Sequence, residues 1–227
     1  MKKIFVILII LTLTVSFISC ENNQQETNKD KLIDKVITLE KNKYKLLDAD
    51  ITYSEFKKNI DGVFTPEFKK AYLLELEETK LLNIDGNIIT IKDLENISDE
   101  ELNSFQEKLY DRQKELGFNS ILVTLEVSSS DYKGSLDMKR VYTKKVEKLH
   151  LDKVDMREAN FYTAYDFKNI DQEWMLASID TRSLIKSKYN ETELNKILSR
   201  TAFTPENNNE IEYIDSVTLT SRERESE

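Results

Sequence analysis

Two side chains suited to covalent or proton-transfer chemistry near neutral pH stand out in this chain of 227 residues, Cys20 and His150, and each is the sole residue of its type. One imidazole cannot assemble a histidine-rich zinc site. With no second cysteine, no internal disulfide competes for the Cys20 thiol. His150 retains one catalytic option, as the base of a pocket shared with a carboxylate. Asp48, Asp50, Asp85, Asp93, Glu95, Asp99, Glu100 and Glu101 are candidates for that partner, yet acidic helix starts and solvated faces explain them equally well. Asp85-Gly86-Asn87 lacks the regular ligand spacing of a calcium loop and reads as a turn. The four glycines form no phosphate-cradling loop, and no motif implies a cofactor.

The surroundings of Cys20 decide its chemistry. Lys2 and Lys3 make a basic start, Ile4 to Ile18 is almost continuously apolar, and Phe17-Ile18-Ser19 places a small residue directly before the cysteine. Such a segment is a secretory signal and is set aside from the fold. Its apolar run of about 15 residues falls short of the roughly 20 needed to span a bilayer. Glu21-Asn22-Asn23-Gln24-Gln25 supplies no basic flank to stop translocation. The segment resembles the signal of bacterial lipoproteins, with Phe17 standing where leucine or valine is usual. The resemblance implies cleavage before Cys20, a diacylglycerol on its thiol and an acyl chain such as palmitate on its amine. Two or three acyl chains hold a membrane far more firmly than one. Position 20 is then committed to lipid, which removes it from any cysteine–histidine pair.

Residues 20–29 follow as the lipidated cysteine and a polar tether. Without the signal the formal charge moves from −9 to about −11. An acidic surface repels phosphate backbones, so nucleic acid is excluded as a partner. Four glycines and two prolines in the whole chain favour long regular elements.

Those elements change period midway. Ile33, Val36, Ile37, Glu40, Tyr44 and Leu47 fall at helical spacing, as do Phe68, Ala71, Tyr72, Glu75, Leu76 and Thr79, with a shorter helix from Tyr53 to Ile60 between them. Ser98-Asp99-Glu100-Glu101 has the form of a capping box. Leu102, Phe105, Leu109 and Leu116 continue that helix toward Gly117, which suits a left-handed end. Ile121, Val123, Leu125 and Val127 then alternate as a strand does. Further strands are expected over Arg140 to Asp155, with a bulge between Val146 and Leu149, over Phe161 to Phe167, and over Trp174 to Thr181. Lys168 to Gln172 should join the last two.

Helices first and strands afterwards predict an α+β domain over residues 30–182, with helices covering one face of a curved antiparallel four-stranded sheet. Residues 183–227 should add a C-terminal helix, a turn, a possible extra strand and a polar tail. The layout resembles the NTF2-like, cystatin-like superfamily. Phe64-Thr65-Pro66-Glu67-Phe68-Lys69-Lys70-Ala71-Tyr72 entering a helix carries the likeness, with Ala164-Tyr165-Asp166-Phe167 and Glu173-Trp174-Met175-Leu176 as a closing hairpin. Phe-Thr-Pro-Glu occurs again at Phe203-Thr204-Pro205-Glu206, but the flanking residues diverge, so the two copies are shared punctuation rather than a repeat. At Thr65 the motif can cap a helix that begins with Pro66.

Under such a sheet, Phe68, Tyr72, His150, Phe161, Tyr165 and Trp174 are the expected walls of a pocket, or else part of a filled core in which the Trp174 ring packs near Pro66. The leading expectation is a membrane-anchored envelope lipoprotein, not an enzyme, whose head binds a protein partner or a small apolar ligand. The alternative is a pocket enzyme using His150 and a carboxylate.

Overall fold

The computed structural model describes residues 31–84, 86–129, 131–132, 137–151, 154–185 and 211–223. Cys20, the tether, the second Phe-Thr-Pro-Glu and the expected C-terminal helix lie outside them. Helix α1 spans 31–47, α2 Tyr53–Asn59, α3 Pro66–Glu77 and α4 Asp99–Glu115. Between α3 and α4 lie the short strands β1 (Lys80–Ile84) and β2 (Asn87–Thr90) and a 3-10 turn, Ile91–Leu94. Strands β3 (Phe118–Ser128), β4 (Asp131–Tyr132), β5 (Met138–Leu151), β6 (Val154–Ile170), β7 (Glu173–Ile185) and β8 (Tyr213–Glu223) complete the order.

Caps place the helices as their sequences require. Thr52, Thr65 and Ser98 each accept a hydrogen bond from the third residue of the helix they precede. At Ser98 the box is reciprocal, because Glu101 reaches back to the Ser98 amide at 2.8 Å. Gly117 ends α4 at φ 80°, where a β-carbon would be strained. Helix α1 buries Leu32, Val36, Leu39 and Leu46 almost completely, and each such side chain contributes about 1.5–3 kcal/mol.

The sheet is antiparallel and α+β in arrangement, with strand order β7-β6-β5-β3-β8 and β4 paired to the side of β5. The expected meander is its central part. Among the described residues the ladder β7-β6-β5-β3-β8 has five strands rather than four, because β8 pairs with β3 from Ser120–Glu223 to Ser128–Tyr213, and the two-residue β4 makes a sixth. Joining a strand from so far along the chain requires a long-range pairing, and no local pattern specifies its partner.

The strand limits also shift. The strand expected over Arg140 to Asp155 ends at Leu151, and Val154 and Asp155 open the next one. Its pairing with β6 stays in register through Leu149–Arg157 and slips only between Leu149 and Leu151, beyond the Val146 to Leu149 interval. The β6–β7 connection is two residues, not five: strands run to Ile170 and from Glu173. Asp171 and Gln172 carry φ of 50° and 70°, the signature of a type I′ turn whose twist matches that of the strands.

One face of the sheet carries the core. Val123, Leu125 and Val127 are buried on β3 while Thr124 and Glu126 point the other way. Leu125, Val127, Val141, Tyr165, Phe167 and Leu176 join α1, α2, α3 and α4 in one hydrophobic cluster. Helix α1 reaches several strands along this face: Lys35 Nζ donates to the Trp174 carbonyl on β7 at 2.7 Å, and Tyr44 Oη to Glu147 Oε1 on β5 at 2.7 Å. The start of α3 is tied to the edge of β7, where Thr65 N donates to the Leu176 carbonyl at 2.9 Å and Leu176 N to the Val63 carbonyl at 2.8 Å. The opposite face carries a smaller cluster, Tyr142 and Ala164 with Tyr162 and Ile211 packed against them, beside an ion pair in which Arg140 holds both oxygens of Asp166 at 2.5 and 2.9 Å. Among the described residues, no helix is long and apolar enough to cross a membrane.

Candidate functional site

Helices α1 and α3 do not seal the sheet completely. Between them and the inner face of β3, β5, β6 and β7 lies a cavity of about 430 Å³. That volume falls within the range of small-molecule sites.

Each wall follows from its element. From α1, one turn apart, come Glu40 and Lys43; from α3 come Phe68, Tyr72, Glu75 and Leu76, whose spacings of three and four put them on one stripe. The sheet contributes inward residues of neighbouring strands: Thr143 and Lys145 of β5, Thr163 and Tyr165 of β6, Ile179 and Thr181 of β7. Thr143 pairs with Thr163 and Thr163 with Thr181 across the ladder, which sets three hydroxyl-bearing residues in a row. The Thr163 and Thr181 hydroxyls are 3.1 Å apart and hydrogen bonded.

Glu40 is the chemical centre. It is a carboxylate only 6 % exposed, and it accepts a hydrogen bond from Tyr165 Oη at 2.8 Å. Burial, reinforced by that carboxylate, pushes the Tyr165 hydroxyl well above its ordinary pKa. Tyr72 is pushed up in the same way, by burial first and then by Glu40 and Glu75. Both phenols are therefore neutral hydrogen-bonding groups throughout the physiological range.

The polar inventory does not close. Among the described residues, the Tyr72 hydroxyl and Thr143 Oγ1 are buried and lack hydrogen-bond partners. Thr143 sits close to the Tyr165 hydroxyl, without the geometry of a hydrogen bond to it. An unpaired buried hydroxyl costs about 1–3 kcal/mol. Both belong to residues lining one cavity. Lys145 is partly engaged, with Nζ 3.2 Å from Glu147 and 4.5 Å from the centre of the Phe161 ring.

Of the residues expected from sequence to wall a pocket, Phe68, Tyr72 and Tyr165 line this cavity. Phe161 lies beside it, under the Lys145 ammonium. Trp174 is partly buried on the core at the start of β7, with Lys139 Nζ 4.8 Å from its ring centre, and does not line the cavity. His150 is exposed on β5, paired with Ser120, and does not line it either. Glu40, Thr143, Thr163 and Thr181 went unrecognised as site residues. Glu40 carried a readable signal, a carboxylate inside an otherwise apolar helical stripe. Among the described residues, no cluster of three or more His, Cys, Asp or Glu side chains could hold a metal ion. The sequence matches no protein-family model and no curated protein.

Proposed function

We propose that this protein is a bacterial envelope lipoprotein, anchored through acyl chains on Cys20, whose head is a non-enzymatic receptor holding a small ligand between α1, α3 and the sheet. One observation carries the reading: the Tyr72 hydroxyl is buried without a partner in a residue that lines a cavity of about 430 Å³. A cavity with polar walls does not stand empty as an apolar one can, and calls for an occupant able to hydrogen bond. Here Glu40, Tyr72, Tyr165 and the threonines line it together with Phe68, Leu76, Leu125 and Ile179. The ligand is accordingly not purely apolar.

The fold belongs to the same proposal. Helices before an antiparallel meander, packed on one face around a cavity, support the NTF2-like architecture, with β8 as an addition to the edge. His150 stands outside the cavity, so the acid–base alternative loses the base on which it was built.

Two experiments test the two halves. Cys20→Ala should abolish acylation and release the protein from the detergent phase, and continued partitioning of that variant would contradict the anchor. Native mass spectrometry of the protein extracted from its own membranes should show a small non-covalent adduct, reduced in Tyr72→Phe. An adduct-free protein that also binds no small molecule in titrations would contradict the receptor.

A further inference from the structure

We infer that the cavity accepts a neutral, multiply hydroxylated ligand of the sugar or polyol class, an assignment that rests on reading the cavity as a binding site. Glu40 accepts from Tyr165 through Oε1, which leaves its Oε2 as an acceptor for a ligand. A ligand must therefore bring a donor to Glu40. Tyr72 and Thr143 each offer a hydroxyl able to donate or accept. The ligand that meets all three without leaving a new orphan carries several groups that both donate and accept, which is the property of a hydroxyl.

Other chemistries fit less well. A carboxylate or phosphate ligand is rich in acceptors and would face the buried Glu40 across the cavity, at a like-charge cost. An ammonium ligand satisfies Glu40, but Lys43 and Lys145 line the same cavity and oppose it. The lining carries two carboxylates, Glu40 and Glu75, and two lysines, so its formal charge is balanced and favours a neutral guest. A hydrocarbon would leave the Tyr72 and Thr143 hydroxyls buried and unpaired. Phe68 and Tyr72, with ring centres 6.2 Å apart, supply an apolar wall for the carbon–hydrogen face of a sugar ring.

The test uses the full-length lipidated protein in polyoxyethylene micelles, which contain neither sugar nor ammonium groups. Calorimetric titration is run with neutral probes (hexoses, pentoses and inositol) and with choline, acetate, inorganic phosphate and a short-chain alcohol. Saturable binding is expected for at least one neutral polyol and not for choline, acetate or phosphate. Tyr72→Phe and Thr143→Val, two substitutions that keep side-chain size, should each weaken that binding about tenfold. If Tyr72→Phe compromises folding, Thr143→Val carries the comparison alone. Polyol binding that neither variant weakens would place the sugar elsewhere and overturn the inference. Binding of choline, an anion or the alcohol in place of the polyols, weakened by the same variants, would overturn the ligand class while leaving the site intact. Silence from every probe would overturn both the class and the receptor reading beneath it.

Discussion

Replacing Tyr72 with phenylalanine removes one oxygen and leaves the ring, so it isolates the hydroxyl that makes the cavity unusual. The ring keeps its neighbours, with Phe64 at 4.9 Å and Phe68 at 6.2 Å between centres. The hydroxyl is buried and unpaired in the ligand-free protein, which costs about 1–3 kcal/mol. Tyr72→Phe should therefore stabilise the unliganded protein by about 1 kcal/mol, the lower end of that range. For a domain of this size that raises the thermal midpoint by about 2–4 °C. Tyr53 is the internal control. Its hydroxyl is satisfied by Glu77 Oε1 at 3.1 Å and the Leu73 carbonyl at 3.4 Å, so Tyr53→Phe should lower the midpoint by a comparable amount. Thermal unfolding by circular dichroism of both variants reads the two signs directly. If Tyr72→Phe loses stability as Tyr53→Phe does, the Tyr72 hydroxyl has a partner at rest and the functional argument built on it fails.

The type I′ turn at Asp171-Gln172 should gain about 1 kcal/mol on replacement by Asn-Gly, since these residues accept positive φ with less strain. An unchanged urea midpoint would show that the turn has relaxed to another type. Alkaline pH should unfold the protein through its tyrosines. Tyr44, Tyr72 and Tyr165 have folded-state pKa values raised above the ordinary 10.0, each chiefly by burial, with Glu147 adding at Tyr44 and Glu40 at the other two. Their protons leave the unfolded chain first. The stability they contribute is complete below about pH 10 and falls above it, by up to about 1.4 kcal/mol per pH unit for each tyrosine. Difference titration of tyrosinate absorbance against Tyr→Phe variants checks this; reversible ionisation of those three near pH 10 with the fold intact would contradict it. Ser98→Ala should cost about 1 kcal/mol by opening the α4 capping box, with a null effect on chemical denaturation removing Ser98 from that role.

What could be read in the sequence was local. The cap at Thr65, the box at Ser98, the glycine at position 117 and the alternation of Val123, Leu125 and Val127 each depend on residues within a few positions. Strand ends proved harder. The pattern after Val146 looked like a phase slip because Val146 is buried on the far face while Glu147 takes the core side, where Tyr44 satisfies it from α1. A polar residue that finds a distant partner breaks the alternation without breaking the strand. The edge position of β8 was illegible for the same reason, its partner being β3 far earlier in the chain.

The site shows this limit most clearly. Aromatic residues were sought as pocket walls, and Phe68, Tyr72 and Tyr165 do line the cavity. Other aromatic residues, among them Phe56, Phe64 and Phe167, fill the core. An aromatic ring satisfies either environment, so its presence does not discriminate. Polar residues at inward positions do discriminate, and Glu40, Thr143 and Thr163 marked the cavity more specifically than any ring. Their alignment arises from cross-strand register, which no single segment encodes.

Whether the space between α1, α3 and the sheet is a built site is tested most directly by a high-resolution crystal structure of the protein purified without added ligand. Ordered non-protein density should occupy the cavity, hydrogen bonded to the Tyr72 hydroxyl and bridging it to Glu40 or Thr143. A cavity closed by inward movement of α3, with Tyr72 bonded directly to Glu40 and no room for another molecule, would contradict the binding site and leave an ordinary polar core in its place.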